Sequence, residues 1–310
     1  MPTTEETTTN TLSAATHMGA ITLNVGNLKR ISAYYEEALG LTPIEDAEVR
    51  RERRRVLGHS TTPLVRLVET PDLPAWNGRQ AGLFHTAFLY QTQQELAVTV
   101  ARAAQHPESR YVGSADHLVS EAFYFTDPEG NGIELYWDRP RSEWPRRGGQ
   151  VIMDTLPLDP RAYLRSHLPE SAHAGAGKET GRIGHVHLQV GDTALVREFY
   201  VGQLGFGVTN DQFPQALFAS AGGYHHHVAM NTWNSRGAGP RAATLGLGNV
   251  AVTVPGRADL NALTERLRST GQAATLADDG ASLTVRDPWG TAVTVSTPEA
   301  ERDVDYVLGR

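Results

Sequence analysis

Short alternating runs of apolar and polar residues recur along the chain, each followed by a segment with helical spacing. Ile21–Val25 (ITLNV) alternates as a strand with one buried face and leads into Asn27–Gly40 (NLKRISAYYEEALG). About 165 residues later Val186–Val190 leads in the same way into Asp192–Gly205 (DTALVREFYVGQLG), and both helical segments end in Leu-Gly. A repeat of this kind indicates duplication. Each half divides again. Val56–Leu57 and Leu64–Val68 predict strands, Gly82–Phe88 opens a further one, and Gln93–Gln105, apolar at Leu96, Val100, Ala103 and Ala104, predicts an amphipathic helix. Phe123–Phe125 and Ile133–Trp137 read as a hairpin about Asp127–Gly132. The second half repeats the plan with a strand at Leu247–Val252 and a helix at Asp259–Ser269. A hairpin follows, Ser282–Val285 and Thr291–Val295 about Asp287–Gly290. Both hairpin turns carry Asp-Pro-X-Gly, in which Pro fixes φ at the first turn position and Gly accepts a positive φ two residues later.

The pattern predicts an α+β chain of four βαβββ units, roughly 18–72, 82–140, 182–236 and 244–298. These are expected to form two modules, 18–140 and 182–298. Residues 1–17 form a polar, Thr-rich lead expected to be disordered, 141–181 a Pro-, Gly-, Arg- and Ala-rich linker with a short helix at Arg161–His167, and 299–310 a tail. Strands with one apolar side must be covered, so the helices are expected outside and the other faces of mixed sheets to form a cup.

At 310 residues the chain suits two domains of ordinary size. Its net charge of −7 is distributed with mixed signs, and the run Arg50–Arg55 is broken by Glu52, which fits a solvated strand edge or a subunit contact better than a nucleic-acid face. The absence of cysteine removes thiol catalysis, thiolate metal sites and disulfides, and suits the cytoplasm. No apolar run approaches the ~18 residues needed to span a membrane. No nucleic-acid or membrane partner is expected; a homo-oligomer is.

Strand alternation assigns faces. Ile133 and Leu135 point to the helices, so Glu134 and Tyr136 face the cup; Val186, Leu188 and Val190 leave His185, His187 and Gln189 inside. In His225–Trp233, Val228 and Met230 take the helix side. His225, His227, Asn231 and Trp233 then face inward, with His226 outward or at the strand end. Both sides of the strand containing His85 are apolar, so periodicity leaves that histidine unplaced. A buried glutamate is costly unless paired, protonated or metal-bound, and histidines facing the same space favour the metal. Two imidazoles and one carboxylate match the facial triad of non-haem iron(II) oxygenases, and zinc accepts the same set.

These residues resemble the vicinal oxygen chelate superfamily of glyoxalases, bleomycin-resistance proteins and type I extradiol dioxygenases. In that family the first strand of a unit carries a metal-binding His, here at the positions of Ala20, His85, His185 and Asn249. The last strand supplies a Glu after Asp-Pro-X-Gly-Asn, kept only as Glu134, with Thr294 in unit four. The resemblance therefore implies a metal site of His85, Glu134 and His185 shared between units two and three, holding Fe(II), with Mn(II) or Zn(II) as other candidates. It departs from the commonest two-domain arrangement, in which units three and four hold the iron.

Tyr124, ten residues before Glu134, matches a position at which the family's Tyr bonds a substrate oxygen, and His117 resembles the family's His on the preceding loop, two residues closer to that Tyr. Gly222–His227 with Asn231-Thr232-Trp233 is similar to the catechol 2,3-dioxygenases of Gram-positive bacteria. The resemblance then implies cleavage of a small aromatic diol by dioxygen beside its two hydroxyls, giving a 2-hydroxymuconic semialdehyde-type product. His225 or His227 would be the acid–base group, His117 and Tyr124 would orient substrate oxygens, and His187, Tyr136, Asn231 and Trp233 would wall the substrate. Each residue has an ordinary alternative as core, strand packing or loop. The same fold also hosts glyoxalase-type lyases, isomerases and thiol transferases, and metal-free proteins that sequester a ligand.

Overall fold

The computed structural model describes residues 11–49, 52–169 and 181–302. A two-residue strand β1 (His17–Met18) precedes unit one, which consists of β2 (Ile21–Val25), α1 (Leu28–Leu39), β3 (Thr42–Val49), β4 (Glu52–His59) and β5 (Thr62–Glu69). Unit two is β6 (Gly82–Tyr90), α2 (Gln93–Gln105), β7 (Arg110–Asp116), β8 (Ser120–Thr126) and β9 (Gly132–Asp138). The connection carries β10 (Arg146–Arg147), β11 (Gln150–Val151), β12 (Leu156–Pro157) and α3 (Pro160–His167). In unit three, β13 (Arg182–Gln189) leads to α4 (Thr193–Val196), which widens into a π-helical stretch Arg197–Gln203, then β14 (Gly207–Asn210), β15 (Ala216–Ser220) and β16 (Val228–Asn231). Unit four is β17 (Gly246–Thr253), α5 (Arg257–Ser269), β18 (Ala274–Leu276), β19 (Ser282–Arg286) and β20 (Ala292–Ser296), followed by α6 (Pro298–Arg302).

Local chemistry explains the element ends. The Asn27 side chain accepts from Arg30 N to start α1, and Gly40 ends it at φ 73 with its N–H on the last turn. Thr92 and Glu95 form a reciprocal capping box on α2. The two Asp-Pro-X-Gly turns are near copies: Asp127 Oδ1 accepts from Glu129 N and Asn131 N, Asp287 Oδ1 from Trp289 N and Thr291 N, and Gly130 and Gly290 take φ values of 87 and 85.

The sheets do not close within each half. One runs β18-β19-β20-β17-β2-β5-β4-β3, joining unit four to unit one, and the other β12-β7-β8-β9-β6-β13-β16-β15-β14, joining unit two to unit three. The expected modules of consecutive units, 18–140 and 182–298, are thus exchanged at the level of strand pairing. The seam of the second sheet is the antiparallel pair β6 and β13, which sets His187 opposite His85 and His185 opposite Ala87. Beyond this seam β6 pairs with β9 in parallel and sets Ala87 opposite Glu134. Ile133, Leu135, Val186, Leu188, Val228 and Met230 all enter the main hydrophobic core, as alternation predicts, and leave the opposite side chains to the concave face.

One expectation is corrected. Residues 11–17 of the lead are ordered: Leu12 is buried with its N–H on Gly205 O, and His17–Met18 pairs with β17. An apolar side chain and a strand edge gain by docking even in a polar stretch. In the linker, α3 (Pro160–His167) lies where a short helix is expected, Trp144, Val151, Met153 and Tyr163 are buried, and β12 pairs with β7. Residues 1–10, 170–180 and 303–310 of the lead, linker and tail, and Arg50 and Arg51 of the basic run, lie outside the described residues. Arg53, Arg54 and Arg55 pair with Glu69, Glu52 and Asp46. Among the described residues no helix is long and apolar enough to cross a membrane.

Candidate metal centre

Three elements meet at the seam of the second sheet. His85 comes from β6, Glu134 from β9 and His185 from β13, and all three are buried on the concave face. Glu134 Oε2 lies 2.8 Å from His85 Nε2 and 3.0 Å from His185 Nε2. The second contact is a hydrogen bond; the first is not aligned as one, so His85 Nε2 is buried without a hydrogen-bond partner, as is His185 Nδ1. Two donors each ~2.1 Å from one ion and at right angles stand ~3.0 Å apart, which is the spacing seen here. An orphaned imidazole nitrogen aimed at a carboxylate that another imidazole also approaches fits a divalent cation better than a hydrogen-bonded core.

Electrostatics agree. Burial alone would raise the Glu134 carboxyl, but the neighbouring His185 and His85 outweigh it and hold the group well below the usual carboxylate range. Burial pushes the His185 imidazole down to about 4, against the pull of Glu134. An ionised carboxylate beside a neutral imidazole is the protonation state a metal requires. A second group of histidine nitrogens, from His185, His225 and His226, also lies close enough for an ion. There His225 spends both nitrogens on protein partners, Nε2 on Asp138 Oδ1 and Nδ1 on His226 Nδ1, each at 2.8 Å. The His85–Glu134–His185 set has the unspent donors.

A cavity of about 430 Å³ opens over this cluster. His85 and Glu134 form its floor, His117, Tyr124, His187 and His226 its polar sides, and Phe84, Val119, Met153, Phe213, Phe218 and Trp233 much of its apolar wall. Among the described residues no Lys or Arg lines it. Tyr124 and His117 stand as a bonded pair 2.6 Å apart. His117 Nδ1 donates to Asp154 O, so its Nε2 accepts from Tyr124 OH. The turn carrying His117 places Leu118 at φ 69, a left-handed conformation that only surrounding structure sustains. Burial, with the Glu134 charge behind it, pushes the Tyr124 phenol well above its ordinary range and keeps it a donor.

The sequence model described as the Glyoxalase/Bleomycin resistance protein/Dioxygenase superfamily matches residues 17–135 and 182–295, which is most of the chain. The chain belongs to this superfamily. It is 35% identical over 286 residues to the catechol-2,3-dioxygenase of Bacillus subtilis (strain 168), an alignment covering 88% of this chain and 94% of that protein. Among solved structures, glyoxalase I from Zea mays shares the fold with a TM-score of 0.58 at 14% identity, over 95% of this chain and 96% of that one. A Bacillus subtilis structure does so with a TM-score of 0.61 at 12% identity, over 91% and 84%.

Within this superfamily member the structure brings His85, Glu134, His117, Tyr124, His187 and Trp233 to one cavity, with His185 beside His85 and Glu134. It does not bring Tyr136, Asn231, His225 or His227 there. Tyr136 is fully buried with its hydroxyl on Tyr224 OH at 2.7 Å, and Asn231 is spent on His187 Nε2 and Trp233 N. The facing assigned to the triple histidine is corrected. Gly222 and Gly223, with φ of 61 and 67, turn the chain, and β16 begins only at Val228, so strand alternation does not govern 225–227. His226, expected outward or at the strand end, lines the cavity, its ring centroid 4.0 Å from that of His185. His227 faces the opposite side, beside Ala14–Gly19, and its Nδ1 accepts from Ala221 N. His225 lies between, fully buried against Trp144 and Tyr224. Sequence reasoning also missed Asp138 and Phe84. The Gly-Gly pair before the histidines was the available signal for the change of face.

Proposed function

We propose that this chain is an iron(II)-dependent extradiol ring-cleaving dioxygenase that opens catechol or a substituted catechol at the 2,3-bond, giving a 2-hydroxymuconic semialdehyde-type product. The observation that carries the reading is the convergence of His85 Nε2, His185 Nε2 and Glu134 Oε2 beneath an apolar cavity. The catechol-2,3-dioxygenase name of the 35% identical relative supports it. A metal held by His85, Glu134 and His185 supplies Lewis acidity to a diol and a position for dioxygen.

The chain's own groups supply the rest. Tyr124, kept protonated, gives its one proton to His117 Nε2, which holds the hydroxyl in place, so its oxygen orients the substrate by accepting from a diol hydroxyl near Glu134. His226, on the opposite side, takes the second phenolic proton and returns it to the product. Burial, followed by the neighbouring His185 and His225, keeps the His226 imidazole well below its ordinary value, so it starts neutral and able to accept. Phe84, Phe218 and Trp233 line the cavity with apolar rings against which the substrate ring would pack. The cavity exceeds the needs of bare catechol and offers no cationic side chain, so the substituent it fits is apolar rather than carboxylated.

Anaerobic reconstitution with Fe(II), then catechol and air, tests the reading. A yellow ring-cleavage product that depends on Fe(II) is expected, with Mn(II) and Zn(II) run beside it. Tight zinc with no oxygen uptake, or a Glu134→Ala chain that keeps both metal and turnover, would sink it.

A further inference from the structure

We propose that Asp138 and His225 are positioning residues which fix the tautomer of His226, so that its Nε2 presents a lone pair to the cavity. The inference rests on the reading of His226 as the proton-accepting group, and adds what sets it. The geometry is a linear relay from the end of β9 to the cavity wall. Asp138 Oδ1 lies 2.8 Å from His225 Nε2. A carboxylate only accepts, so His225 carries its proton on Nε2 and leaves Nδ1 with a lone pair. His225 Nδ1 lies 2.8 Å from His226 Nδ1, and the proton in that bond therefore belongs to His226. His226 is then protonated on Nδ1, and Nε2 remains free on the ring that lines the cavity. The opposite arrangement would set a bare His225 Nε2 against the Asp138 carboxylate in a buried contact.

The carboxylate is itself held in place. Asp138 Oδ2 accepts from Tyr224 OH at 2.7 Å, and Tyr224 OH is 2.7 Å from Tyr136 OH. His225 is fully enclosed, with Trp144 packed edge-on at a centroid distance of 5.2 Å, so the relay cannot rotate away freely. Two adjacent histidines thus serve different ends: His225 transmits an orientation and His226 meets the substrate. A backbone that placed both in one extended strand could not link their Nδ1 atoms, because successive side chains of a strand point to opposite faces.

Nitrogen-15 NMR of the full-length chain, metal-free and loaded with Zn(II) as a diamagnetic probe, reads the tautomers directly. Wild type is expected to show His226 protonated at Nδ1 alone. Asp138→Ala should convert it to an exchange average of both tautomers, and His227→Gln, outside the relay, should leave it as in wild type. Asp138→Asn is the second variant should the alanine chain not fold. With Fe(II), Asp138→Ala should lower kcat about 10- to 100-fold at nearly constant KM and metal content, the share expected of a misaligned acid–base group. A wild-type His226 protonated at Nε2, an unchanged tautomer in Asp138→Ala, or equal loss in His227→Gln would overturn the inference. A correct wild-type tautomer in a chain that cleaves no catechol would instead tell against the functional reading alone.

Discussion

Replacing Gly184 by alanine should damage the site through a residue that contributes no ligand. Gly184 precedes His185 where the pairing of β13 with β6 shifts register. A Cβ there would lie 1.7 Å from Tyr136 Oη, 2.7 Å from its Cζ and 3.1 Å from Leu89 Cβ. Ordinary contact needs ~3.5 Å, so the phenol must retreat by about 1.5–2 Å. Tyr136 is fully buried, and that shift breaks its bond to Tyr224 OH. Overpacking a core costs about 1–3 kcal/mol and stranding a buried hydroxyl about 1–3 kcal/mol, so the expected loss is about 2–6 kcal/mol. Guanidinium unfolding of the metal-free chain measures it, and a cycle with Tyr136→Phe isolates the cause. Deleting Oη removes the worst clash, so the double variant should be about 1–2 kcal/mol more stable than the sum of the singles. Because the Tyr136 and His185 rings stand 4.9 Å apart, metal affinity should recover together with stability. A loss below about 0.5 kcal/mol, or strict additivity, would refute the steric reasoning.

Other outcomes follow from the same geometry. Glu134→Gln keeps the side-chain volume but removes the anionic donor; metal affinity by competition with a chelator should fall at least about 100-fold, with a matching loss of metal-induced thermal stabilisation. His226→Ala should lower Fe(II)-dependent kcat by about 100-fold or more, whereas His227→Gln, outside the cavity, should stay within about threefold of wild type, and the reverse order would move the acid–base role back to His227. Burial lowers the His227 imidazole to about 3 in the fold, against ~6.5 when unfolded, so between these values the unfolded chain binds a proton the folded one does not. Stability therefore falls as pH falls from ~6.5 toward ~3, and His227→Gln should flatten that slope by up to about 1.4 kcal/mol per pH unit in urea titrations. Alkyl-substituted catechols should exceed carboxylated ones in kcat/KM by about tenfold or more, measured side by side, since the cavity has no cation to offset a buried carboxylate.

The units were legible because their signals are local. Gln93–Gln105 carries its own capping box, and the Asp-Pro-X-Gly turns carry their own hydrogen bonds, so helix and hairpins sit where pattern and turn chemistry place them. Glu134 and His185 were legible because each lies inside a regular strand, where alternation assigns faces. His85 needed the family resemblance, since β6 is apolar on both sides. The failures lie where local rules end. Leu12 and Trp144 sit in polar or Pro-rich stretches and are buried by partners distant in sequence. His226 was turned the wrong way because Gly222 and Gly223 end the extended conformation before β16 begins. Asp138 closes β9 and gains its meaning only from His225, 87 residues on.

The exchanged sheets contain an internal control for the role of the ligands. Ala251 lies opposite Thr294 across β17 and β20, as Ala87 lies opposite Glu134 across β6 and β9. Asn249 pairs with Thr22 as His85 pairs with His187. The first sheet therefore has the same seam, with Asn249 at the position of His85, Thr294 at that of Glu134 and Thr284 at that of Tyr124. These three form a closed neutral set, Thr294 Oγ1 donating to Asn249 Oδ1 at 2.9 Å with Thr284 Oγ1 2.9 Å from Thr294 Oγ1. At these three positions the seam thus folds with small polar groups that satisfy one another. Placing an ionisable carboxylate and an unpartnered imidazole at the same positions of the second sheet gives the fold nothing it lacks in the first, and it burdens the core with desolvated groups. Their presence in one seam is therefore accounted for by what they hold, not by what they stabilise. On this account the double replacement His85→Asn with Glu134→Thr, which copies the first seam into the second, yields a chain that folds at least as well without metal and binds none.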